Sequence, residues 1–127
     1  MSKNSYEELN KIITKDSRFK AEAYEFVLAA LHYTQNKLNR QGHITARELL
    51  AGIREYALEQ FGGMTRYVFK KWGIDNTQDF GDIVFNMVDS GLLHKRQEDS
   101  KEDFKDVYNF EVFDNKLNIE LKDDNLQ

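Results

Sequence analysis

Apolar residues recur three and four residues apart along most of this sequence, and glycines rather than prolines separate the segments that show this spacing. The 127 residues include no proline, which suits long uninterrupted helices because proline breaks the hydrogen bonding of a helix. Glycine is the residue that best tolerates the left-handed conformation after a helix ends. The pattern therefore predicts a mainly α chain with about five helices.

Local signals also predict where the helices begin and end. Thr45 and Glu48 have the spacing of a capping box, in which each side chain satisfies a free backbone N–H of the other residue. Asn76 or Thr77 is placed to cap the last helix. The predicted helices cover residues 5–15, 19–38, 45–61, 64–72 and 78–90. The predicted core consists of Phe26, Val27, Leu31, Leu50, Ile53, Phe61, Val68, Trp72, Phe80, Val84, Met87 and Leu92.

Two segments near the C-terminus alternate between apolar and polar residues, which is the spacing of a β-strand. They are residues 107–113 and 117–121, and residues 114–116 between them suit a turn. We therefore expect an α+β fold with a small C-terminal antiparallel β element. Helices followed by such an element have the order of a winged helix, so residues 45–113 are predicted to be winged-helix-like.

The length suits one hydrophobic core and is too short for two. We predict a single domain over residues 1–122 and a frayed tail over residues 123–127. No apolar run reaches the ~20 residues that cross a bilayer, and the first residues lack the apolar stretch of a signal peptide. Cysteine is absent, which agrees with a reducing compartment. We expect a cytoplasmic protein that does not enter a membrane.

Charge is distributed unevenly along the chain. Residues 37–71 carry seven basic and three acidic side chains, a net charge of +4, whereas residues 72–94 have four Asp and no Lys or Arg. In a winged helix the second of these segments would contain the helix that faces DNA. Carboxylates at that position repel phosphate, so the sequence argues against duplex binding through this helix.

No arrangement of side chains in the sequence predicts catalysis. The absence of cysteine excludes thiolate metal sites and a cysteine nucleophile, and none of the three histidines has a second histidine three or four residues away. Glu55 and Glu59 lie one turn apart, but their positions predict a solvated face rather than the desolvated carboxyl that acid–base chemistry needs. We expect a protein that is not an enzyme and has no catalytic, metal or cofactor site.

Apolar residues beyond the number that the core needs suggest a surface that binds another protein. Tyr67, Phe69 and Phe85, together with Phe110 and Phe113, are predicted to form an exposed patch, and such patches mark interaction sites. The acidic residues predicted to accompany this surface are Asp79, Asp82 and Asp89. The first hypothesis is a non-catalytic protein-interaction module that binds a different protein or a second copy of itself.

Nucleic-acid binding through the basic segment 37–71 is the alternative hypothesis. The residues predicted to contact an anion are Arg47, Arg54, Arg66, Lys70 and Lys71. Basic side chains release counterions from phosphate, and the neighbouring Tyr67 and Trp72 could stack on unpaired bases. Both aromatic residues fit the core equally well, and the cations fit an ordinary solvated face, so we place this hypothesis second.

Gly52 and Gly81 each lie inside a helical pattern, where glycine costs roughly 1 kcal/mol relative to alanine. The usual reason for such a glycine is the close approach of another part of the chain. We expect helix–helix contacts at both positions, with an approaching ligand or partner as the other interpretation.

Several stretches carry a resemblance to a known family. They are AYEFVLAAL at residues 23–31, ELLAGIREYALEQFG at 48–62, WGI at 72–74, DFGDIVFNMV at 79–88, DFK at 103–105 and YNF at 108–110. From about residue 19 to residue 110 the chain resembles a family of small uncharacterised bacterial proteins, described mainly from planctomycetes and verrucomicrobia. Gly63 departs from the proline expected there, and the residues after Phe113 lie outside the resemblance. The resemblance implies no activity, because none is assigned to that family.

Overall fold

A computed structural model describes residues 3–94 and 100–114 of the chain. Within these residues the fold is mainly helical, which confirms the mainly α part of the prediction and the expectation of about five helices but not the α+β class. The helices are α1 (Lys3–Lys15), α2 (Ala21–Leu38), α3 (Ala46–Phe61), α4 (Thr65–Lys71) and α5 (Thr77–Ser90), with 3-10 turns at Gly62–Met64 and Lys101–Phe104. Not one of the helices described is both long enough and apolar enough to cross a bilayer.

The helices α3 and α5 begin where the sequence predicts, because polar side chains satisfy the free N–H groups of their first turns. At α3 the Glu48 N–H donates to Thr45 Oγ1 at 3.1 Å, and the Thr45 N–H donates to Glu48 Oε1 at 2.9 Å. Asn76 and Asp79 form the same reciprocal pair at α5. Both helix starts follow from local chemistry that is visible in the sequence.

The helix α2 packs against α1, α3 and α5, and the core surrounds it. The largest side chains that are fully buried include Phe19, Tyr24, Leu50, Ile53, Phe69, Ile74, Phe80, Ile83, Met87 and Phe113. Of the predicted core, the buried members are Phe26, Val27, Leu50, Ile53, Phe80 and Met87. The members that are only partly buried against it are Leu31, Phe61, Trp72, Val84 and Leu92. Val68 is half-buried.

Both glycines predicted to allow close approach do so. A Cβ atom at Gly52 would lie 1.8 Å from Thr34 Oγ1, so the contact joins α3 to α2. A Cβ atom at Gly81 would lie 2.9 Å from Cβ and Cγ of Phe104, in the turn that packs on α5. The prediction of close approach is confirmed at both positions, although at Gly81 the neighbour is a turn rather than a helix.

The strand predicted at residues 107–113 is wrong. Residues 111–114 form a helical turn, and no β-strand occurs in residues 3–94 and 100–114. The alternation of aromatic residues serves packing instead: Phe110 and Phe113 contact the ring of Phe69, at centroid distances of 5.6 and 5.5 Å.

The winged-helix prediction for residues 45–113 therefore lacks support, because no β element occurs in the described residues of this range, 45–94 and 100–113. The second predicted strand, residues 117–121, and the tail predicted at residues 123–127 lie outside the described residues.

Hydrogen bonds fix the segment 100–114 against the helices. The buried Thr77 hydroxyl donates to the Phe104 carbonyl at 2.7 Å and accepts from the Val107 N–H at 3.2 Å. The Tyr108 hydroxyl donates to the Leu50 carbonyl at 2.8 Å. Burial raises the pKa of Tyr108, because it disfavours the charged form of the hydroxyl.

Candidate functional site

The predicted interaction surface does not form as expected, because Phe69 is 0% exposed and lies in the core. The inward face of α4 consists of Thr65 and Phe69, whereas the sequence pattern predicts Val68 in the core. The buried Thr65 hydroxyl lies 2.7 Å from the Gly62 carbonyl oxygen and 3.2 Å from the Ala57 carbonyl oxygen of α3. Tyr67 is 56% exposed.

The other aromatic members of that predicted patch also face inward. Phe110 and Phe113 are buried, and Phe85 is half-buried against the core. The expectation of an exposed patch made of these residues is therefore wrong, and Tyr67 alone among them is exposed.

Two of the acidic residues predicted for the same surface have structural roles. Asp79 accepts from the backbone N–H groups of Asp75 and Asn76 at 2.7 and 3.3 Å. Burial raises the pKa of Asp79, against the lowering effect of these two hydrogen bonds. Asp82 forms an ion pair with Arg18, and Asp89 is exposed on α5.

The Arg18 ion pair belongs to a network that joins the end of α1 to α5. The Arg18 guanidinium donates to both Asp16 oxygens at 2.9 and 2.8 Å and to Asp82 Oδ2 at 3.1 Å. Asn86 Nδ2 lies 3.0 Å from Asp16 Oδ2 and from the Tyr24 hydroxyl oxygen. The guanidinium holds the pKa of the Asp16 carboxyl well below its usual range.

The predicted anion-contact residues lie on α3 and α4. Arg47 and Arg54 are exposed on α3 and line one groove beside Tyr108. Glu48 and Glu55 line the same groove, so its charge is mixed.

Two of the residues on α4 that are predicted to contact an anion already interact with other side chains. Arg66 forms an ion pair with Asp114, and Lys71 Nζ lies 5.5 Å from the ring centre of Tyr67. Lys70 is exposed. The structure thus brings Arg47 and Arg54 to one groove but does not assemble the whole predicted set there.

A row of aromatic rings lies along the boundary between α2 and α3. We call it the aromatic seam, and its members are Trp72, Phe61, Phe26, Tyr56 and Tyr33. Ring centres are 5.6 Å apart for Phe61 and Trp72, 5.5 Å for Phe26 and Tyr56, and 5.2 Å for Tyr33 and Tyr56. Phe26 is buried and the other members are half-buried, so the seam has a buried centre and partly exposed rings around it.

Exposed carboxylates flank this row on both helices, and we call them the acidic border: Glu22 and Glu25 on α2, and Glu55 and Glu59 on α3. Glu22 and Glu25 line a groove of about 250 Å³ together with Ala29, Gln60 and most of the seam. Partial burial, followed by the charge of Glu55, raises the pKa of the Tyr33 hydroxyl at the far end.

The charge of this groove is negative along the part that contains Trp72. Among the described residues, no Lys or Arg side chain lines it. The ion pair between Lys37 and Glu55 lies at the other end of the seam, near Tyr33. Aromatic faces carry negative potential at their centres, so rings and carboxylates together favour a cationic group.

The sequence did not predict this site, because the apolar spacing assigns Phe26, Phe61 and Trp72 to the core. Glu55 and Glu59 are predicted to lie on a solvated face. The available signal was the spacing of Glu22, Glu25, Ala29 and Tyr33, which places them on one side of α2.

No group of His, Asp or Glu side chains in the described parts of the chain is arranged to hold a metal ion. The expectations of no enzyme activity and no cofactor remain predictions. No protein-family model, curated protein or solved structure matches this chain. The resemblance to the bacterial family therefore also remains a prediction.

Proposed function

We propose that this chain is a non-catalytic protein-interaction module whose aromatic seam binds a basic segment of a partner protein. The observation that carries the proposal is the groove beside Trp72, which joins half-buried rings to Glu22 and Glu25 with no cation among its described lining residues. The module works without a cofactor, and we place it in the cytoplasm. This surface replaces the one predicted around Phe69.

The chemistry of the groove suits lysine and arginine side chains. A cation over an aromatic face gains about 0.5–2 kcal/mol, and tryptophan is the best of the rings. The aliphatic stem of such a side chain can also cover the edges of Phe61 and Tyr56, while its charged end stays near the acidic border. A few such side chains spaced along a partner would give specific binding of moderate strength.

Self-association is the other form of the same hypothesis. A symmetric dimer through the seam would bring the acidic borders of two copies into one interface, and this accumulation of like charge is repulsive. A different protein with a basic segment is the occupant that the charges favour. Sedimentation of the isolated chain tests this choice: a stable dimer would oppose it.

Trp72 gives a direct test because it is the one tryptophan of the sequence. A peptide rich in lysine and arginine and free of aromatic residues should shift the Trp72 fluorescence, and added salt should weaken the effect. The same peptide with glutamate at the basic positions should have no effect. Equal responses to both peptides, or no response to either, would reject the proposal.

A matched pair of charge variants locates the binding. The E22Q/E25Q variant should weaken binding of the basic peptide roughly 3- to 30-fold, because it removes the carboxylates next to Trp72. The control variant E102Q/E111Q removes the same formal charge from exposed positions in the segment 100–114 and should bind as the wild type does. If both variants lose affinity equally, net charge rather than the seam attracts the peptide.

Nucleic-acid binding is kept as the second candidate on one observation: Arg47 and Arg54 are exposed and line a common groove with Tyr108. Glu48 and Glu55 in that groove oppose a polyanion. Titration with mixed single-stranded DNA and RNA at low and moderate salt distinguishes the two candidates. Salt-sensitive binding that R47Q/R54Q abolishes would favour nucleic acid over the basic partner.

A further inference from the structure

We infer that a second cleft, separate from the aromatic seam, binds a small, uncharged and mainly apolar molecule. The cleft has a volume of about 260 Å³ and lies between α2, the loop before α3 and the end of α5. Its apolar lining consists of Val27, Leu31, Ile44, Ala46, Leu49, Val84, Phe85, Val88, Leu93 and Phe104.

The lining chemistry defines the class of ligand. Among the described residues, no Asp, Glu, Lys or Arg side chain lines the cleft. His43 and His94 also line the cleft, but among the described residues a cationic ligand would find no carboxylate there and an anionic ligand no Lys or Arg side chain, so the loss of hydration would be costly for either. An uncharged molecule avoids this cost and gains from the apolar walls.

A single hydroxyl on the ligand would also find an acceptor. Gln35 lines the cleft, and its Nε2 lies 3.4 and 3.3 Å from the Gln41 and Gly42 carbonyl oxygens. These contacts engage the nitrogen and leave Gln35 Oε1 as an acceptor. The ligand that fits best has an apolar body and one neutral donor such as an alcohol or phenol.

The size of the cleft agrees with a compact molecule. An engineered apolar cavity of about 150 Å³ holds benzene, so a volume of about 260 Å³ suits a fused pair of rings or a branched chain of similar bulk. The cleft is slightly smaller than the roughly 300–1,000 Å³ of most small-molecule sites, which restricts the ligand to a compact one.

The position of the cleft makes it independent of the seam. Val27, Leu31 and Gln35 are spaced four residues apart and form one side of α2. Glu22, Glu25, Ala29 and Tyr33 lie on the opposite side of the same helix, because 3.6 residues complete a turn. Binding at one surface can therefore be removed without touching the other.

Naphthol and the naphthoate anion are suitable probes because they share a ring system and differ in charge. In amide NMR spectra of the full chain, naphthol should shift resonances of Ile44, Val88 and Leu93. Naphthoate should bind at least about tenfold more weakly. Equal binding of the two probes, or naphthol shifts confined to Trp72 and its neighbours, would overturn the inference.

Two alanine variants provide a crossed control. Ala46→Leu fills the cleft and should weaken naphthol binding at least about tenfold while the basic peptide still binds. Ala29→Leu fills the groove of the seam and should do the reverse. If A46L does not fold, Val88→Phe tests the same wall from α5. Retention of wild-type naphthol affinity in a folded cleft-filling variant would overturn the inference, whatever happens at the seam.

Discussion

Gly52 is where a single missing side chain decides how closely two helices pack. The Thr34 hydroxyl that faces it donates to the Ala30 carbonyl at 2.7 Å, so Thr34 is held on α2 by its own hydrogen bond. A methyl group at Gly52 would lie 1.8 Å from that hydroxyl oxygen and 2.9 Å from Thr34 Cβ. Either the hydroxyl must turn away from its acceptor or the helices must separate.

Gly52→Ala should lower the free energy of unfolding by about 2–3 kcal/mol, which is the cost of overpacking a well-packed contact. Gly42→Ala is the matched control, because a Cβ atom there would meet nothing within 4 Å. Urea denaturation of both variants measures the difference. The G52A/T34A double variant should lose less than the sum of its single variants, and equal losses in G52A and G42A would contradict the account.

The Asp16 carboxyl predicts a pH dependence of stability. Its pKa is lowered in the folded protein, chiefly by the hydrogen bonds from Arg18, so its ionised form stabilises the fold. That stabilisation is fully present above the unfolded pKa of about 4 and is lost as the pH falls below it. Asp16→Asn should therefore cost about 1–2 kcal/mol at neutral pH and progressively less in acid.

Chemical denaturation of wild type and D16N at neutral pH and at about pH 3 provides the measurement. The lower pH lies below the unfolded pKa of aspartate. Glu111→Gln, at an exposed position, serves as a control that should change stability little at either pH. A difference between wild type and D16N that stays constant over this range would exclude the role given to the Asp16–Arg18 pair.

At the scale of helices, the sequence predicted α3 and α5 well because their caps and apolar spacing are local properties. The side chain of Thr45 meets the residue three positions along the same chain, and so does that of Asn76. Nothing about a distant element is needed to place these two helix starts. The same holds for the glycine that ends α5 in the left-handed conformation, Gly91.

The strand prediction for residues 107–113 is wrong because the alternation of aromatic residues there serves contacts with distant parts of the chain. The rings of Phe110 and Phe113 fill the space beside Phe69, and Tyr108 reaches back to α3. Aromatic residues at every second or third position can satisfy such packing without any strand partner. The sequence could not show that Phe69 turns inward, because its ring packs on Phe26 and Phe110, which lie far from it along the chain.

Thr77→Val tests how this segment is attached to α5. The change keeps the shape of the buried side chain but removes the hydroxyl that contacts Phe104 and Val107. Loss of partners for these buried backbone groups should cost about 1–3 kcal/mol. Amide hydrogen exchange should accelerate at residues 104–108, and unchanged exchange there would mean that the hydroxyl does not hold the segment.

At the scale of the whole molecule, α2 separates two surfaces of different chemistry. One side carries the aromatic seam with its acidic border, and the opposite side lines the uncharged cleft. In the sequence, the apolar residues on both sides of α2 predict only that this helix is central. Which rings remain accessible depends on how α3 and the end of α4 pack on it, so the candidate site could not be read from the sequence.

The central claim is that the aromatic seam binds a basic segment, and NMR mapping of the bound peptide tests it most directly. On addition of the lysine- and arginine-rich peptide, we expect shifts of the Trp72 indole N–H and of amides in residues 22–33 and 56–61. The resonances of Val88 and Leu93 at the opposite cleft should not move. Shifts centred on Arg47 and Arg54, or no shift at Trp72 with saturating peptide, would contradict the claim.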